Sequence, residues 1–383
     1  MRWVVAGVVL CAAGLAPETR RASVARGHAP TTLSRFMLER TRDDPESRDL
    51  EALIASVQMA CKTISALVLR AGLEELTGLQ GETNVQGEEQ KKLDVIANQV
   101  LKDALRYTGR LGVVASEEEA LPLLVDEALD SRYVAVFDPL DGSSNIDASI
   151  ATGTIFGIFR QTEECRLNYR SDEKDVLDAN ATKCLLNTLQ PGDSLVAAGY
   201  CMYSSSTILV LTFGDGVHGF TLDSAVNEFV LTHPRMRIPD RGKIYSCNEA
   251  NEPLWDAPVR DYVRDLKLGR GQTATRYSSR YVGSMVADVH RTLLHGGLWF
   301  YPADTTHPSG KIRLLYEAAP MSFIVEQAGG RSSTGTRSIL SIHPTTVHQR
   351  VAVFLGSKDD VAELESYFLP TIVAPPPTTS FAR

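Results

Sequence analysis

The chain is organised around one stretch, Val134-Ala135-Val136-Phe137-Asp138-Pro139-Leu140-Asp141-Gly142-Ser143-Ser144-Asn145-Ile146-Asp147. Its four leading apolar residues predict a buried strand that carries Asp138 to its end. Asp141 follows three residues later, so both carboxylates can bind one cation. Gly142-Ser143-Ser144 then offers backbone N–H groups that a phosphate can approach without side-chain obstruction. These features indicate Mg²⁺-dependent phosphoryl chemistry, although the motif alone is equally compatible with an acidic surface turn.

Length, composition and charge exclude several classes of protein. The 383 residues suffice for two domains or one large α/β unit. A hydrophobic content of 43% and a charged content of 22% are ordinary for a globular protein with a sizeable core. The net charge of −8 argues against a nucleic-acid partner. Dinucleotide binding is poorly supported, because no G-x-G-x-x-G motif opens a helix after a strand.

Residues 1–30 have the composition of a targeting leader. Arg2 precedes an apolar run, 3–16, which has the length of a signal-peptide core and is too short to span a bilayer comfortably. An Arg-rich, Ser-containing and acid-poor part follows, which is typical of a transit peptide. This order predicts import into a plastid bounded by extra membranes; a plain secretory signal is the alternative. The absence of a later long apolar segment predicts a mature form that is not membrane-inserted.

From Thr31 onward the hydrophobic pattern alternates between helices and strands. An N-cap at Asp44-Pro45 and a stop at Gly72 bound the first predicted helix, and residues 74–92 read as a long polar loop. Further helices are predicted near 94–105, 284–296, 316–328 and 358–368. Strands are predicted at 111–115, 134–138, 154–159, 194–203, 207–213, 217–222, 228–232, 298–301 and 351–355. This pattern predicts an α/β (α+β layered) fold.

The folded body is expected to consist of two halves. An N-terminal half, 31–195, would bind metal and phosphate, and it contains an exposed, acidic insertion at 163–184 bracketed by Cys165 and Cys184. A C-terminal half, 196–370, follows, and the family resemblance described below implies that it binds the sugar phosphate. The Pro-rich tail, 371–383, is expected to be disordered.

Two acidic strand ends, Glu117-Glu118 and Asp138/Asp141, must converge for the metal hypothesis to hold. Asp94 and Glu317, near the starts of two helices, are further candidates, although each alone is an ordinary solvated helix-end acid. His290, in the middle of a predicted helix, is expected to be a structural hydrogen bonder and not a base.

Five separated motifs carry a resemblance to the fructose-1,6-bisphosphatase family. They are Gly87-Glu88-Glu89-Gln90-Lys91-Lys92-Leu93-Asp94, Ser116-Glu117-Glu118, Phe137–Asp147, Tyr281–Arg291 and Lys311-Ile312-Arg313-Leu314-Leu315-Tyr316-Glu317. The resemblance extends from about Thr31 to Phe368. It implies an αβαβα sugar-phosphatase fold with two mixed sheets and helices between and outside them. It also implies a homotetramer and Mg²⁺-dependent removal of the 1-phosphate of fructose 1,6-bisphosphate in the Calvin cycle.

The resemblance also assigns roles to single residues. Divalent cations, Mg²⁺ with Mn²⁺ as a substitute, would be held by Glu88, Glu117, Asp138, Asp141, Glu317 and the Leu140 carbonyl. Glu88 stands where many members have Asp. Asp94 and Glu118 would position and deprotonate the attacking water. The substrate would be bound by Gly142, Ser143 and Ser144 at the 1-phosphate, by Asn248, Tyr281 and Tyr301 at the 6-phosphate, by Arg280 from a neighbouring subunit, and by Met285 and Lys311 at the sugar.

Six cysteines, at 11, 61, 165, 184, 201 and 247, are too sparse for a disulfide scaffold and show no zinc spacing. Plastid members of the resembled family carry a cysteine-bearing insertion whose disulfide thioredoxin reduces. The resemblance implies this role for Cys165 and Cys184, although Leu189 stands where a third cysteine is usual. Two unrelated exposed thiols are the alternative.

Two other functions stay open. The Phe137–Ser144 core alone would also fit a sedoheptulose-1,7-bisphosphatase or a dual-specificity enzyme, whereas Asn145–Asp147 and the Tyr281–Arg291 block resemble the fructose enzyme. A catalytically inactive relative that senses sugar phosphates is the alternative from another class.

Overall fold

The structure is a computed structural model that describes residues 30–42, 47–74, 76–83, 89–125, 132–161 and 186–369. The chain divides into residues 1–30 and one compact unit, Thr31–Arg383. Five predictions lie outside the described residues: the leader up to residue 29, the N-cap at Asp44-Pro45, the metal ligand Glu88, the cysteine-bearing insertion with Cys165 and Cys184, and the tail.

Helices and strands alternate along the described chain. The helices are α1 (Leu33–Thr41), α2 (Ser47–Arg70), α3 (Lys92–Arg106), α4 (Ala257–Leu268), α5 (Met285–His295), α6 (Ala319–Gln327) and α7 (Lys358–Phe368). The strands are β1 (Leu79–Thr83), β2 (Glu89–Lys91), β3 (Leu111–Ser116), β4 (Leu123–Leu124), β5 (Tyr133–Asp141), β6 (Thr152–Arg160), β7 (Leu195–Tyr203), β8 (Thr207–Thr212), β9 (Val217–Asp223), β10 (Glu228–Met236), β11 (Ile244–Ser246), β12 (Ser278–Ser279), β13 (Leu298–Tyr301), β14 (Ile312–Arg313), β15 (Arg331–Ser333), β16 (Arg350–Val351) and β17 (Val353–Gly356).

An eight-stranded mixed sheet forms the larger layer, in the order β10-β9-β8-β7-β6-β5-β3-β4. Its strands are antiparallel except for β3 and β5, which run parallel with Ser116 opposite Phe137. The carboxyl ends of parallel neighbours lie at the same edge of a sheet. The residues that follow these two strands therefore meet, as the metal hypothesis requires.

A second mixed sheet has the order β12-β11-β13-β17-β15, with β11 parallel to both of its neighbours. Two further pairs, β1 with β2 and β14 with β16, are small antiparallel ladders. The predicted division of the body at 195/196 stays a prediction; β7 to β10 extend the same sheet as β5 and β6.

Three hydrophobic cores hold the helices and sheets together in five layers. Side chains of α1, α2 and α3 pack against one face of the large sheet. Side chains of α5 and α6 fill the space between its other face and the second sheet. On the far face of the second sheet lie α4 and α7. This order of helix, sheet, helix, sheet, helix confirms the predicted αβαβα fold.

Local differences from the prediction have identifiable causes. Helix α1 was not predicted, because it is short and its apolar residues are mixed with charged ones. Its buried apolar residues are Leu33 and Met37. Part of the predicted loop 74–92 forms the β1–β2 hairpin, whose polar sequence has no strand-like alternation. The predicted strand 351–355 is two strands, because β16 pairs with β14 whereas β17 pairs with β13 and β15.

Within the described residues, α2 is the one helix whose length and composition would permit a membrane span. Its Leu53, Cys61 and Ile64 are fully buried against the rest of the fold. A core helix meets the same criteria, and α2 packs as one.

Candidate active site

Most of the predicted site residues line one cleft of about 500 Å³. The predicted residues on its wall are Asp94, Glu117, Glu118, Asp138, Leu140, Asp141, Gly142, Ser143, Ser144, Asn248, Tyr281, Met285, Tyr301, Lys311 and Glu317. The cleft opens where the parallel strands β3 and β5 end, and residues of α5, β13 and β14 close its other side. Tertiary structure thus joins motifs that are up to 223 positions apart in the sequence, from Asp94 to Glu317.

A group of buried carboxylates forms the floor of the cleft. Asp138, Asp141 and Glu317 each offer an oxygen, and these oxygens lie within 4.8 Å of one another. Burial, together with the charges of Glu117, Glu317 and Asp141, raises the pKa of Asp138 well above its usual range. Burial also raises the pKa of Glu317 to about 8. Clustered anionic oxygens of this kind are the ligands that hard divalent cations prefer, so these side chains fit a metal ion.

The two aspartates are held by different elements. Asp138 lies within the fully buried strand β5 and accepts a hydrogen bond from the Leu140 amide at 2.9 Å. Asp141 accepts from the Ser284 hydroxyl at 2.9 Å and from the Val286 amide at 3.0 Å, both at the start of α5. The partial positive charge of a helix N-terminus favours a carboxylate there. Asp141 therefore connects the end of β5 to the start of α5.

Arg313 lies among the carboxylates, a role that sequence reasoning missed. Its Nη2 atom lies 2.8 Å from Glu117 Oε1, and both side chains are about nine-tenths buried. Its backbone amide donates to Glu317 Oε2 at 2.6 Å, across the π-helical turn Leu314–Ala318. The motif that contains Arg313 was recognised in the sequence, but only its Lys311 and Glu317 were given roles.

Asp94 and Glu118, the predicted water-activating pair, both line the cleft, and the charge of Glu118 acts on Asp94. Asp94 occupies the first turn of α3 and accepts from the Lys91 amide at 2.8 Å. Burial, with a smaller effect of the Glu118 charge, raises the pKa of Asp94 to about 7. A general base works best when its pKa lies near the working pH, so Asp94 suits proton abstraction at neutral pH.

The turn after β5 has the backbone shape expected of a phosphate cradle. Gly142 has φ +71°, and a Cβ atom there would lie 3.1 Å from Ser284 Cβ. Residues Ser143–Ala148 then form a 3-10 helix. A left-handed backbone with a close neighbour requires glycine, which explains the residue type at this position.

The other wall of the cleft belongs to the C-terminal part of the chain. Asp288 was missed as an organiser: its buried carboxylate accepts from the amides of Val282 at 3.0 Å and Gly283 at 3.1 Å. It thereby holds the segment that carries Tyr281, whose pKa burial raises to about 12. Arg280 does not line the cleft of its own chain, and its Nη1 donates to the Ser279 carbonyl at 2.9 Å.

His290 has the structural environment that was expected. Its Nδ1 atom lies 2.6 Å from the buried Tyr200 hydroxyl, and burial lowers its pKa to about 4. It does not line the cleft.

Comparison with known proteins gives one consistent result. The sequence model of "Fructose-1-6-bisphosphatase, N-terminal domain" matches residues 31–234, and the corresponding C-terminal model matches residues 238–369. The chloroplastic fructose-1,6-bisphosphatase of Spinacia oleracea is 50% identical over 358 residues, which cover 94% of this chain and 86% of that protein. Chloroplastic fructose-1,6-bisphosphatase 1 of Arabidopsis thaliana is 50% identical over 353 residues, covering 92% and 84%. The crystal structure of Leishmania major fructose-1,6-bisphosphatase in holo form matches with a TM-score of 0.81 at 41% identity, covering 89% of this chain and 99% of that chain.

Proposed function

The chain belongs to the fructose-1,6-bisphosphatase family, and from that premise we propose that it hydrolyses fructose 1,6-bisphosphate to fructose 6-phosphate and inorganic phosphate. The observation that carries the proposal is the buried group of Asp138, Asp141 and Glu317 beside Asp94, in one cleft with the Gly142 turn. Metal dependence is a property of the family, and the all-oxygen donor set favours Mg²⁺, with Mn²⁺ as a substitute.

The bound cation would neutralise the phosphate dianion and stabilise the leaving alkoxide. Asp138, Asp141, Glu117, Glu317 and the Leu140 carbonyl are the described groups proposed to hold it. Glu88, the further proposed ligand, lies outside the described residues.

Asp94 and Glu118 are proposed to orient the attacking water and to accept its proton. The water oxygen bonds to phosphorus while the bond from phosphorus to the C1 oxygen breaks, and the sugar oxygen takes up a proton. With a pKa of about 7, Asp94 is sufficiently ionised at neutral pH to accept the proton.

The remaining cleft residues are proposed to bind the substrate. Gly142, Ser143 and Ser144 would bind the 1-phosphate through the turn after β5. The opposite wall, with Asn248, Tyr281, Met285, Tyr301 and Lys311, would bind the sugar and the 6-phosphate. Arg280, which does not line its own cleft, would act on the site of a neighbouring subunit in a homotetramer. Light scattering of the purified protein measures the assembly directly.

The similarity to chloroplastic enzymes assigns the protein to the plastid, and a role in the Calvin cycle is proposed on that basis. Import through a bipartite leader at residues 1–30 stays a proposal.

Regulation by thioredoxin through Cys165 and Cys184 is also a proposal; both residues lie outside the described part of the chain. Oxidised protein should gain activity on dithiol reduction, and Cys165→Ser protein should be active without it. An oxidised wild type that matches both the reduced protein and the Cys165→Ser variant would exclude this switch.

Phosphate release from fructose 1,6-bisphosphate, with and without Mg²⁺ and a dithiol, tests the function. Release that requires Mg²⁺ is the expected result. Faster turnover of sedoheptulose 1,7-bisphosphate would reassign the substrate. Tight binding of the sugar bisphosphate without any phosphate release would indicate a sensor instead of an enzyme.

A further inference from the structure

Strand β2 of the small hairpin contacts both proposed catalytic carboxylates through consecutive residues. The Gln90 side-chain amide donates a hydrogen bond from Nε2 to Glu118 Oε2. The backbone amide of the next residue, Lys91, donates to Asp94 Oδ2 at 2.8 Å. Glu118 lines the cleft, whereas Gln90 does not.

We propose that Gln90 is a positioning residue for Glu118: its amide fixes the carboxylate in the orientation that receives the water proton. The inference rests on the proposed hydrolysis and deepens it. It also gives the hairpin a part in catalysis that is separate from the metal ligand proposed on its neighbouring segment.

The position of Gln90 is determined by several contacts that do not involve Glu118. Strand β2 pairs with β1 through Leu79 and Lys91. Asp147, near the end of the 3-10 helix Ser143–Ala148, accepts hydrogen bonds from the Gly78 amide at 3.0 Å and from Lys91 Nζ at 2.8 Å. These hydrogen bonds connect the hairpin to the segment that follows Asp141, and they fix the position of Gln90.

The backbone around Glu118 is held by other groups. The Ser116 hydroxyl donates to Asn98 Oδ1 at 2.7 Å, and Asn98 Nδ2 donates to Glu119 Oε1 at 2.9 Å. His348 Nε2 lies 3.0 Å from the Glu119 carbonyl oxygen. Loss of the Gln90 amide should therefore remove one contact that orients the Glu118 carboxylate, without displacing the strand end that carries it.

An amide suits this position chemically. A free glutamate side chain populates several rotamers, and fixing it has an entropic cost that a hydrogen bond can offset. A neutral donor fixes the carboxylate without adding a full positive charge that would weaken it as a base. Catalysis is sensitive to misplacement of a reacting group by about 1 Å.

Gln90→Met tests the proposal because it keeps the side-chain length and removes the donor. We expect kcat to fall by roughly 10- to 100-fold while KM stays within about twofold, since Gln90 does not touch the substrate. The thermal midpoint should not change. Gln99→Met is the matched control: Gln99 on α3 donates to the exposed Asp103 at 2.8 Å, and its loss should leave kcat unchanged.

Two further variants separate hydrogen bonding from packing. Gln90→Glu keeps the shape but places a like charge against Glu118, so its kcat should fall at least as far as that of Gln90→Met. In a Glu118→Gln background, Gln90→Met should cause no further loss, because both changes remove the same contribution.

The outcomes distinguish the inference from the function on which it rests. A wild type that releases no phosphate overturns both. If the wild type is active and Gln90→Met has the same kcat, the inference is overturned but the proposed function is not. The same fold-loss in the wild-type and Glu118→Gln backgrounds also overturns it, because Gln90 would then act independently of Glu118.

Discussion

Asp138 combines near-complete burial with three carboxylate neighbours, an arrangement that costs free energy unless a cation is present. Asp138→Asn keeps the side-chain shape and removes one of the mutually repelling charges. We expect the fold and the metal-free stability to be preserved and kcat to fall by more than about a hundredfold. Circular dichroism and phosphate release measure the two effects. Asp193→Asn, at an exposed position, is the control, and near-normal turnover of Asp138→Asn would refute the metal assignment.

Arg313 supplies a positive charge beside Glu117 in the metal-free protein. Removing one member of a buried ion pair leaves the other unbalanced and costs about 3–5 kcal/mol. Arg313→Met should therefore lower the free energy of unfolding by about that amount in a chelator. Mg²⁺ should restore more stability to this variant than to the wild type, because a cation compensates the same carboxylates. Denaturant unfolding with chelator or with Mg²⁺ measures both values, and equal Mg²⁺ effects in the two proteins would contradict the prediction.

At the scale of elements, the start of α5 serves both the helix and the site. Ser284 accepts from the Ala287 amide at 3.3 Å as N-cap and donates to Asp141 at 2.9 Å. Ser284→Ala should cost about 0.5–2 kcal/mol of stability and also reduce activity, because Asp141 loses a donor that orients it. Thr32→Ala removes a comparable cap from α1, where Thr32 accepts from the Arg35 amide at 3.2 Å. That control should lose stability only; equal activity of the two variants would remove Ser284 from the site.

At the scale of the whole molecule, the carboxylate cluster should control how stability varies with pH. The pKa of Glu317 rises from 4.5 to about 8 and that of Asp94 from 3.8 to about 7 on folding. The native state therefore binds more protons than the unfolded state between these values, and this contribution to stability is lost as pH rises towards 8. In a chelator, the thermal midpoint should fall as the pH rises from about 5 to about 8, and Mg²⁺ should reverse the trend because it favours the ionised carboxylates.

Substitution of the cluster tests this assignment. In a chelator, the thermal midpoint of Glu317→Gln should fall less steeply with pH than that of the wild type, because the variant lacks one of the two carboxylates that bind extra protons in the native state. Glu39→Gln, at an exposed ion pair, should leave the slope unchanged. A slope that is the same in wild type and Glu317→Gln would show that other groups determine it.

The proposed role of Arg280 can be tested only in the assembled protein. Arg280→Ala and Asp138→Asn subunits should each form a poorly active oligomer. Co-expressed hybrids should be more active than either, because an intact Asp138 on one subunit can meet an intact Arg280 from its neighbour. If Arg280 acted within its own chain, the hybrids would show no gain over the mean of the two parents.

The layered fold could be predicted because its central elements have strong local patterns. Strand β5 begins with a continuous apolar run, and α3 and α5 have regular helical spacing. The hairpin β1–β2 and the break between β16 and β17 could not be predicted, since their pairing partners are distant or polar. Among site residues, sequence motifs indicated the carboxylates, whereas the contacts of Gln90, Ser284, Asp288 and Arg313 became visible only in the structure.

The order of residues along the chain specifies which residue types the site contains. A carboxylate pair three residues apart, with a glycine directly after it, follows from the order of residues in Val134–Asp147 alone. That Asp94, Glu117 and Glu317 meet this pair is a consequence of how the elements pack. Their convergence depends on β3 and β5 running parallel and on the π-helical turn after β14 facing their ends. Local patterns report the burial of each element, but the pairing of strands depends on contacts between residues far apart in the chain.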